Sequence, residues 1–197
     1  MEVLEILINL IIKFLCAVIV ICVHEYPRMI VYKALVHPLY KREAKISFNP
    51  LRYMDPFGMI CFVFLNVGWQ KPFTFNTGRL RDKNKGLISI SLIGILCNLL
   101  LMAILIPILI NVYNVNDYLT NFLKYLIVYN LAIVIVNLLP VPPFDMVKII
   151  QAINPQTYFK FIQYEKIIQA VFIFLLASNV ITKIIVIVYR GIMSVAL

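Results

Sequence analysis

Long apolar runs, separated by short polar segments, set the pattern of this 197-residue chain. The first covers about residues 3–23 and continues amphipathically to about Leu35. Two further runs, about Leu87–Ile110 and Tyr118–Leu139, have the roughly 20 residues that a helix needs to cross a bilayer. A last run covers about Ile167–Tyr189. The pattern therefore predicts about four membrane-spanning helices.

A shorter apolar segment lies between the first two of these runs. It extends from Phe57 to about Trp69, and a helix of that length reaches only about 20 Å, against a hydrocarbon core of about 30 Å. We expect a re-entrant or interfacial element here, which a membrane protein tolerates where other segments cover it. The following segment, Lys71–Asn76, alternates apolar and polar residues and predicts a short strand within the connecting loop.

The composition agrees with a membrane-embedded fold. Hydrophobic residues make up 62% of the chain, against about 45–50% in soluble domains, and only 14% of the residues are charged. The formal net charge of +9 would suggest nucleic acid in a soluble protein. Here most basic residues stand in short loops between apolar runs, so we expect an integral membrane protein that contacts the lipid bilayer and no nucleic acid. Residues 1–197 are predicted to form one domain, all-α apart from the strand-bearing loop.

The distribution of basic residues predicts the direction of each helix. The loops around 41–53 and 71–85 are strongly basic, which is typical of cytoplasmic loops. The loop at 111–117 has no Lys or Arg and is predicted to be external. The N-terminus is then external, and both flanks of the short apolar segment lie on the cytoplasmic side. Arg190 departs from this scheme, because it is predicted near the external end of the last helix.

Three ionisable residues are predicted at a similar depth in the membrane. His24 and Glu25 lie near the cytoplasmic end of the first helix, and Asp145 lies just beyond the cytoplasmic end of the helix that finishes at Leu139. Ionisable groups at this depth are costly unless they face a cavity or one another, so they mark a candidate site. The alternatives are a buried polar pair that joins two helices and, for Asp145, a cap on the next helix.

The sequence around His24 is close to a zinc-protease motif. In H-E-x-x-H on a helix, the two His bind zinc from one face and the Glu acts as general base towards a metal-bound water. Here His24 and Glu25 are followed by Tyr26, Pro27 and Arg28, so a guanidinium that cannot bind a metal replaces the second imidazole. Pro27 lacks an amide proton and is predicted to kink or end the helix.

Together with this motif, several other segments resemble the site-2 protease family of intramembrane zinc metallopeptidases, in its short bacterial form. They are similar, in order, to the N-P-x-x-x-x-D-P-x-G stretch, the K-P loop, the G-P-x-x-N helix and the N-L-L-P-x-P-P-L-D-G motif of that family. The resemblance covers about residues 15–150, and its segments are Asn49–Gly58, Gly68–Pro72, Gly94–Asn98 and Asn137–Asp145.

The resemblance implies a metallopeptidase that cleaves a single-span membrane protein or peptide within a bacterial cytoplasmic membrane, close to its cytoplasmic face. It also implies that His24 and Asp145 bind zinc and that Glu25 activates water. Asn98 and Asn137 would line the site, although ordinary hydrogen bonding between helices accounts for them equally well.

Departures from the family pattern predict an impaired zinc site. Besides Arg28, Ile95 replaces the Pro of the G-P-x-x-N helix, and Met146 replaces the Gly that follows the ligand Asp. A catalytic zinc takes three protein ligands and a water. His37 is a poor third ligand because the chain would have to fold back, and Cys22 is a poor one because it lies on a different helix face.

Arg28 offers an arrangement without a metal. A guanidinium at the second His position is able to pair with Glu25 and Asp145 and to neutralise both carboxylates, as zinc otherwise would. Two functions remain as alternatives: an impaired intramembrane metalloprotease, and a pseudoprotease that binds or masks a transmembrane partner without zinc and without cleavage. A solute transporter is less favoured, because the chain has no inverted repeat.

Overall fold

The computed structural model describes residues 2–112 and 117–196, which form eight α-helices and three short 3₁₀ segments. The predicted external loop at 111–117 lies largely outside the described residues. The helices are α1 Glu2–Leu35, α2 Pro56–Leu65, α3 Lys83–Val112, α4 Asp117–Leu138, α5 Asp145–Ile153, α6 Pro155–Gln163, α7 Glu165–Ala177 and α8 Val180–Ala196.

Three helices, α1, α3 and α4, are long and apolar enough to cross a membrane. A fourth span is available if α7 and α8 are taken together as one bent element. The prediction of an all-helical membrane protein with about four spans is therefore confirmed. The core lies where α1, α3 and α4 pack together, and α5 packs against α3 at one end of this bundle.

The last predicted span is not one continuous helix. The structure breaks Ile167–Tyr189 at Ser178 and Asn179, where α7 and α8 meet at a bend of 62°. Asn179 has a φ of 59°, a left-handed conformation that ends helices and that Asn tolerates better than most residues. The amide of Asn179 donates to the carbonyl of Leu176, which satisfies a carbonyl at the end of α7.

The short apolar element is the ten-residue helix α2. Asp55 caps its first turn by accepting a hydrogen bond from the Gly58 amide at 2.8 Å, and Asn66 ends it in the left-handed conformation. An antiparallel bridge between Met54 and Gln70 holds the two flanks of the element side by side. The chain therefore enters and leaves this element at one place, as a re-entrant segment must.

The strand predicted over Lys71–Asn76 is not present. Among the described residues, β-type pairing is confined to two isolated bridges, Met54 with Gln70 and Val36 with Leu80. Phe73 and Phe75 of the segment instead pack against the ring of Tyr32. A strand needs a partner along its length to pair its backbone groups, and this loop passes beside helices that offer none.

Of the two outcomes predicted at Pro27, a kink or an end of the helix, the end does not occur. The helix continues through Pro27 to Leu35. Membrane helices tolerate internal proline because neighbouring elements and local adjustments satisfy the backbone groups that it frees. The continuity matters for the site, because it leaves Arg28 one helical turn after His24 and on the same face of α1.

Candidate functional site

The ionisable residues predicted at one depth lie in contact with each other. His24, Glu25 and Arg28 project from α1, and Asp145 stands at the first position of α5. All four side chains are at most 1% exposed. His24 and Asp145, which were predicted only at a similar depth, are in direct contact, since Nε2 of His24 lies 3.0 Å from Oδ2 of Asp145.

Arg28 lies at the centre of this cluster. Its Nη2 donates to Oδ1 of Asp145 at 2.7 Å, and its Nη1 donates to Oε1 of Glu25. Its Nε donates to the carbonyl of Ile90 in α3 at 3.3 Å, and the guanidinium carbon lies 5.6 Å from the ring centre of Phe73. Both ion pairs expected for Arg28 are therefore present, and three elements hold the guanidinium in one position.

His24 is fixed by acceptors on both sides of its ring. Its Nδ1 lies 2.9 Å from Oδ1 of Asn98, whose amide nitrogen donates to the Val20 carbonyl and to Oδ1 of Asn130. The Val20 carbonyl can only accept, so the Asn98 oxygen faces the imidazole. Both ring nitrogens thus face side-chain oxygens, one of Asn98 and one of Asp145. A metal-binding imidazole needs one unprotonated nitrogen.

Gly94 allows α3 to pass this close to the cluster. A Cβ atom at this position would stand 2.8 Å from Cδ of Arg28 and 2.8 Å from Cε1 of His24. Contacts that short are not tolerated without displacement of the neighbouring side chains. Gly94 is therefore a positioning residue for Arg28 and His24, and it belongs to the G-I-L-C-N segment singled out in the sequence.

Lys148 is a site residue that the sequence did not reveal. Its Nζ lies 3.1 Å from Oδ1 of Asp145, one turn further along α5. Burial would raise the pKa of Asp145, but Arg28 and then Lys148 hold that pKa well below its ordinary value. Burial, followed by repulsion from Arg28, lowers the pKa of Lys148. In the sequence, the only sign of this contact is that Lys148 follows Asp145 by three residues. That spacing brings the two side chains together only in a helix, and the sequence did not predict that a helix begins at Asp145.

Of the other residues considered in the sequence, one contacts the cluster and three lie elsewhere in the structure. Asn98 contacts His24, as described. Asn137 instead exchanges hydrogen bonds with Gln70 at 2.9 and 3.2 Å and donates to the Ile133 carbonyl. His37 is exposed and caps a 3₁₀ turn, and Cys22 lines an open groove on the outside of α1.

The residues at this site do not fit a zinc ion in the arrangement observed. Among the described residues, no group of three or more His, Cys, Asp or Glu side chains is placed to hold a metal. Asp145 uses one carboxylate oxygen for His24 and the other for Arg28 and Lys148. The Oε2 atom of Glu25 is buried without a hydrogen-bond partner from the described residues. Arg28 fills the position from which a second His would bind the metal.

Comparison with known proteins gives one informative relative. The chain is 28% identical over 123 residues to the Bacillus subtilis (strain 168) protein named "Putative zinc metalloprotease YwhC". The matched part is 58% of this chain and 56% of that protein, so this chain spans about half the length of its relative. No family model matches the chain, and no solved structure does. The comparison supports a relationship to zinc metalloproteases.

Proposed function

We propose that this chain is a site-2-protease-like pseudoprotease, which binds a membrane-spanning partner but does not cleave it. The observation that carries the proposal is the buried contact of Arg28 with both Glu25 and Asp145. His24, Glu25 and Asp145, which the resemblance assigns to a zinc site, belong to one ion-paired group, and the Arg28 guanidinium stands among them at the second His position of H-E-x-x-H.

The electrostatics of the cluster favour this substitution. Two buried carboxylates need positive charge nearby, since an isolated charge in a low-dielectric interior is strongly unfavourable. In a zinc enzyme the metal provides that charge. Here Arg28 provides it from within the chain, with geometry that satisfies one oxygen of each carboxylate. Glu25 is then held by a permanent cation and is not free to take a proton from water.

Metal analysis of the purified full-length chain tests the first half of the proposal. We expect substoichiometric zinc by mass spectrometry of the metal content, both in the native protein and in a Glu25→Gln variant. We also expect no cleavage of a single-span model substrate above that of the Glu25→Gln variant. One zinc per chain would contradict the replacement of the metal by Arg28, and cleavage that Glu25→Gln abolishes would establish an active protease.

Partner binding tests the second half. A single-span membrane protein cross-linked to the native chain in membranes should be cross-linked equally by Glu25→Gln, because binding does not require the base. The Arg28→His variant should still lack protease activity, since one substitution leaves Met146 beside Asp145. Loss of the cross-link on Glu25→Gln alone would contradict a binding role. Solute uptake into vesicles that contain the native chain would instead identify a transporter.

A further inference from the structure

A small cavity lies near the buried cluster, at the same end of the bundle. Its volume is about 260 Å³, and the loop before α5, the segment after α2 and the helix α7 form its walls. Phe144, which lines the cavity, directly precedes Asp145 of the cluster. Two other residues of the lining, Pro143 and Ile173, are exposed. The cavity is therefore open to a ligand at the end that loop charge predicts to be cytoplasmic.

Aromatic rings and prolines form most of the wall. The ring of Phe172 packs edge-on against the rings of Trp69 and Phe144, with ring centres 5.7 and 5.2 Å apart. The lining also includes three prolines, which have no amide proton to donate: Pro72, Pro142 and Pro143. This wall suits the apolar stem of a ligand and offers few donors to a ligand that accepts hydrogen bonds.

The polar side chains of the cavity present oxygen atoms. Asp55 accepts a hydrogen bond from the Gly58 amide through Oδ1 at 2.8 Å, but its Oδ2 receives none from the described residues. Gln169 donates both amide hydrogens within the chain, one of them to the Pro142 carbonyl at 3.0 Å, which leaves its Oε1 as an acceptor. Of the lining side chains, only the Trp69 indole retains an N–H without a partner among the described residues.

The Asp55 carboxylate has no counter-charge in the part of the chain that the structure describes. No Lys, Arg or His nitrogen there lies within 4.0 Å of it. The nearby cations Arg52 and Lys71 line a separate cavity, together with Tyr53 and Thr74. The charge of Asp55 is thus available to a ligand, and its role as the cap of α2 uses only one of its two oxygens.

These groups together are complementary to an organic cation. A carboxylate attracts the charge and accepts its N–H groups, and an aromatic ring attracts a cation through its face. The side chains of Lys and Arg have several N–H donors, no acceptor and an apolar stem, so they match a lining of acceptors, rings and prolines. A carboxylate ligand would meet repulsion from Asp55.

We infer that the cavity binds a Lys or Arg side chain of the membrane-spanning partner, an inference that rests on the proposed function. The cationic group would donate to Oδ2 of Asp55 and to Oε1 of Gln169, with its stem along Trp69. Single-span membrane proteins carry Lys and Arg mostly where the helix leaves the membrane on the cytoplasmic side. A partner helix that packs against this bundle therefore brings such a residue to the depth of the cavity.

The fluorescence of Trp69 tests the cation site, because this is the only tryptophan of the chain. The purified full-length chain would be titrated with n-butylammonium, which has the charge and stem of a Lys side chain, and with uncharged n-butanol. We expect a saturable change in emission with n-butylammonium alone. Asp55→Asn should weaken this binding about tenfold, since Asn can still cap α2 but has no charge.

A matched control is Asp82→Asn, which neutralises an exposed carboxylate that also accepts a backbone hydrogen bond, from the Lys85 amide, but lies outside the cavity. It should leave the titration unchanged. An equal response to the two probes, or unchanged affinity in Asp55→Asn, would overturn the cation site.

Two single-span peptides that differ only in Lys or Gln at the cytoplasmic end identify the occupant. In phosphatidylglycerol vesicles, a chain with a photo-cross-linker in place of the exposed Ile173 should be cross-linked about tenfold more to the Lys peptide. Asp55→Asn should remove this preference. Equal cross-linking of both peptides would overturn the inference and leave partner binding intact. Binding of n-butylammonium without cross-linking of either peptide would contradict partner binding too, in favour of a site for a small amine.

Discussion

Two groups of charged side chains lie in the helical bundle, and their partners differ. Around Arg28, cations and carboxylates contact each other directly, and the four central side chains are at most 1% exposed. Around Arg190, cations line open cavities, and no carboxylate of the described residues reaches the guanidinium. In the first group the charges are paired with each other, with only Oε2 of Glu25 lacking a partner among the described residues, whereas the second group borders open space.

The difference in burial and pairing between Arg28 and Arg190 indicates different roles for the two charges. A buried charge whose partners are supplied by the chain contributes to the structure of the bundle, because removal of one partner leaves the other charge uncompensated. An exposed charge such as that of Arg190 remains in contact with its surroundings and needs no buried partner. Removal of a cation should therefore destabilise the fold at Arg28, and should have little effect on stability at the exposed Arg190.

The largest effect is expected from removal of the central guanidinium. Arg28→Met leaves Glu25 and Asp145 buried without their main counter-charge, which should cost about 3–5 kcal/mol of unfolding free energy. Denaturant titration in detergent micelles measures this quantity. Arg52→Met, exposed at the end of the 3₁₀ turn Pro50–Arg52, is the matched control and should change it by less than about 0.5 kcal/mol. A loss below about 1 kcal/mol for Arg28→Met would mean that the cluster is not a closed unit.

Simultaneous removal of all three charges sharpens this test. The triple variant Glu25→Gln, Arg28→Met and Asp145→Asn has no uncompensated carboxylate, so it should be more stable than Arg28→Met alone by about 1–4 kcal/mol. The same titration, with the triple and single variants side by side, gives the difference. A triple variant that is less stable than Arg28→Met would show that each ion pair stabilises the fold independently of the others.

Much of this cluster was predictable from the sequence, because helix direction alone places residues by depth. His24 and Asp145 follow from two helices that both run towards the basic side, and Arg28 follows from the charge of its neighbours. Lys148 was not predictable, because its contact depends on where α5 begins. The pairing of Asn137 with Gln70 was not predictable either, since it depends on how the loop after α2 returns to the bundle.

The errors in the predicted fold have a common physical origin. Local rules of sequence describe what an isolated segment prefers, and tertiary packing changed the outcome at Pro27 and in Lys71–Asn76. The break at Asn179 was missed for a different reason, because Ser178, Asn179, Thr182 and Lys183 are short polar interruptions in a long run whose summed hydropathy remains high. The number and position of the long helices were robust, because they depend on summed hydropathy over many residues.

A smaller effect is expected where the cluster meets α3. Gly94→Ala places a Cβ within 2.8 Å of both Arg28 and His24, and this overpacking should cost about 1–3 kcal/mol. Gly191→Ala is a matched control, because nothing lies within 4 Å of its added Cβ, and it should be neutral or slightly stabilising. Denaturant titration of both variants separates crowding of the cluster from the general effect of alanine in a helix. Equal stability of the two variants would contradict a tightly packed cluster.

The smallest effect is expected at the other group of charges. In detergent without added lipid, Arg190→Gln should change the unfolding free energy by less than about 0.5 kcal/mol, because the guanidinium is exposed and has no carboxylate partner among the described residues. Lys183→Gln, also exposed on α8, should behave in the same way. A large loss in Arg190→Gln without lipid would mean that this arginine is structural, as Arg28 is, and that the two groups of charges do not differ in kind.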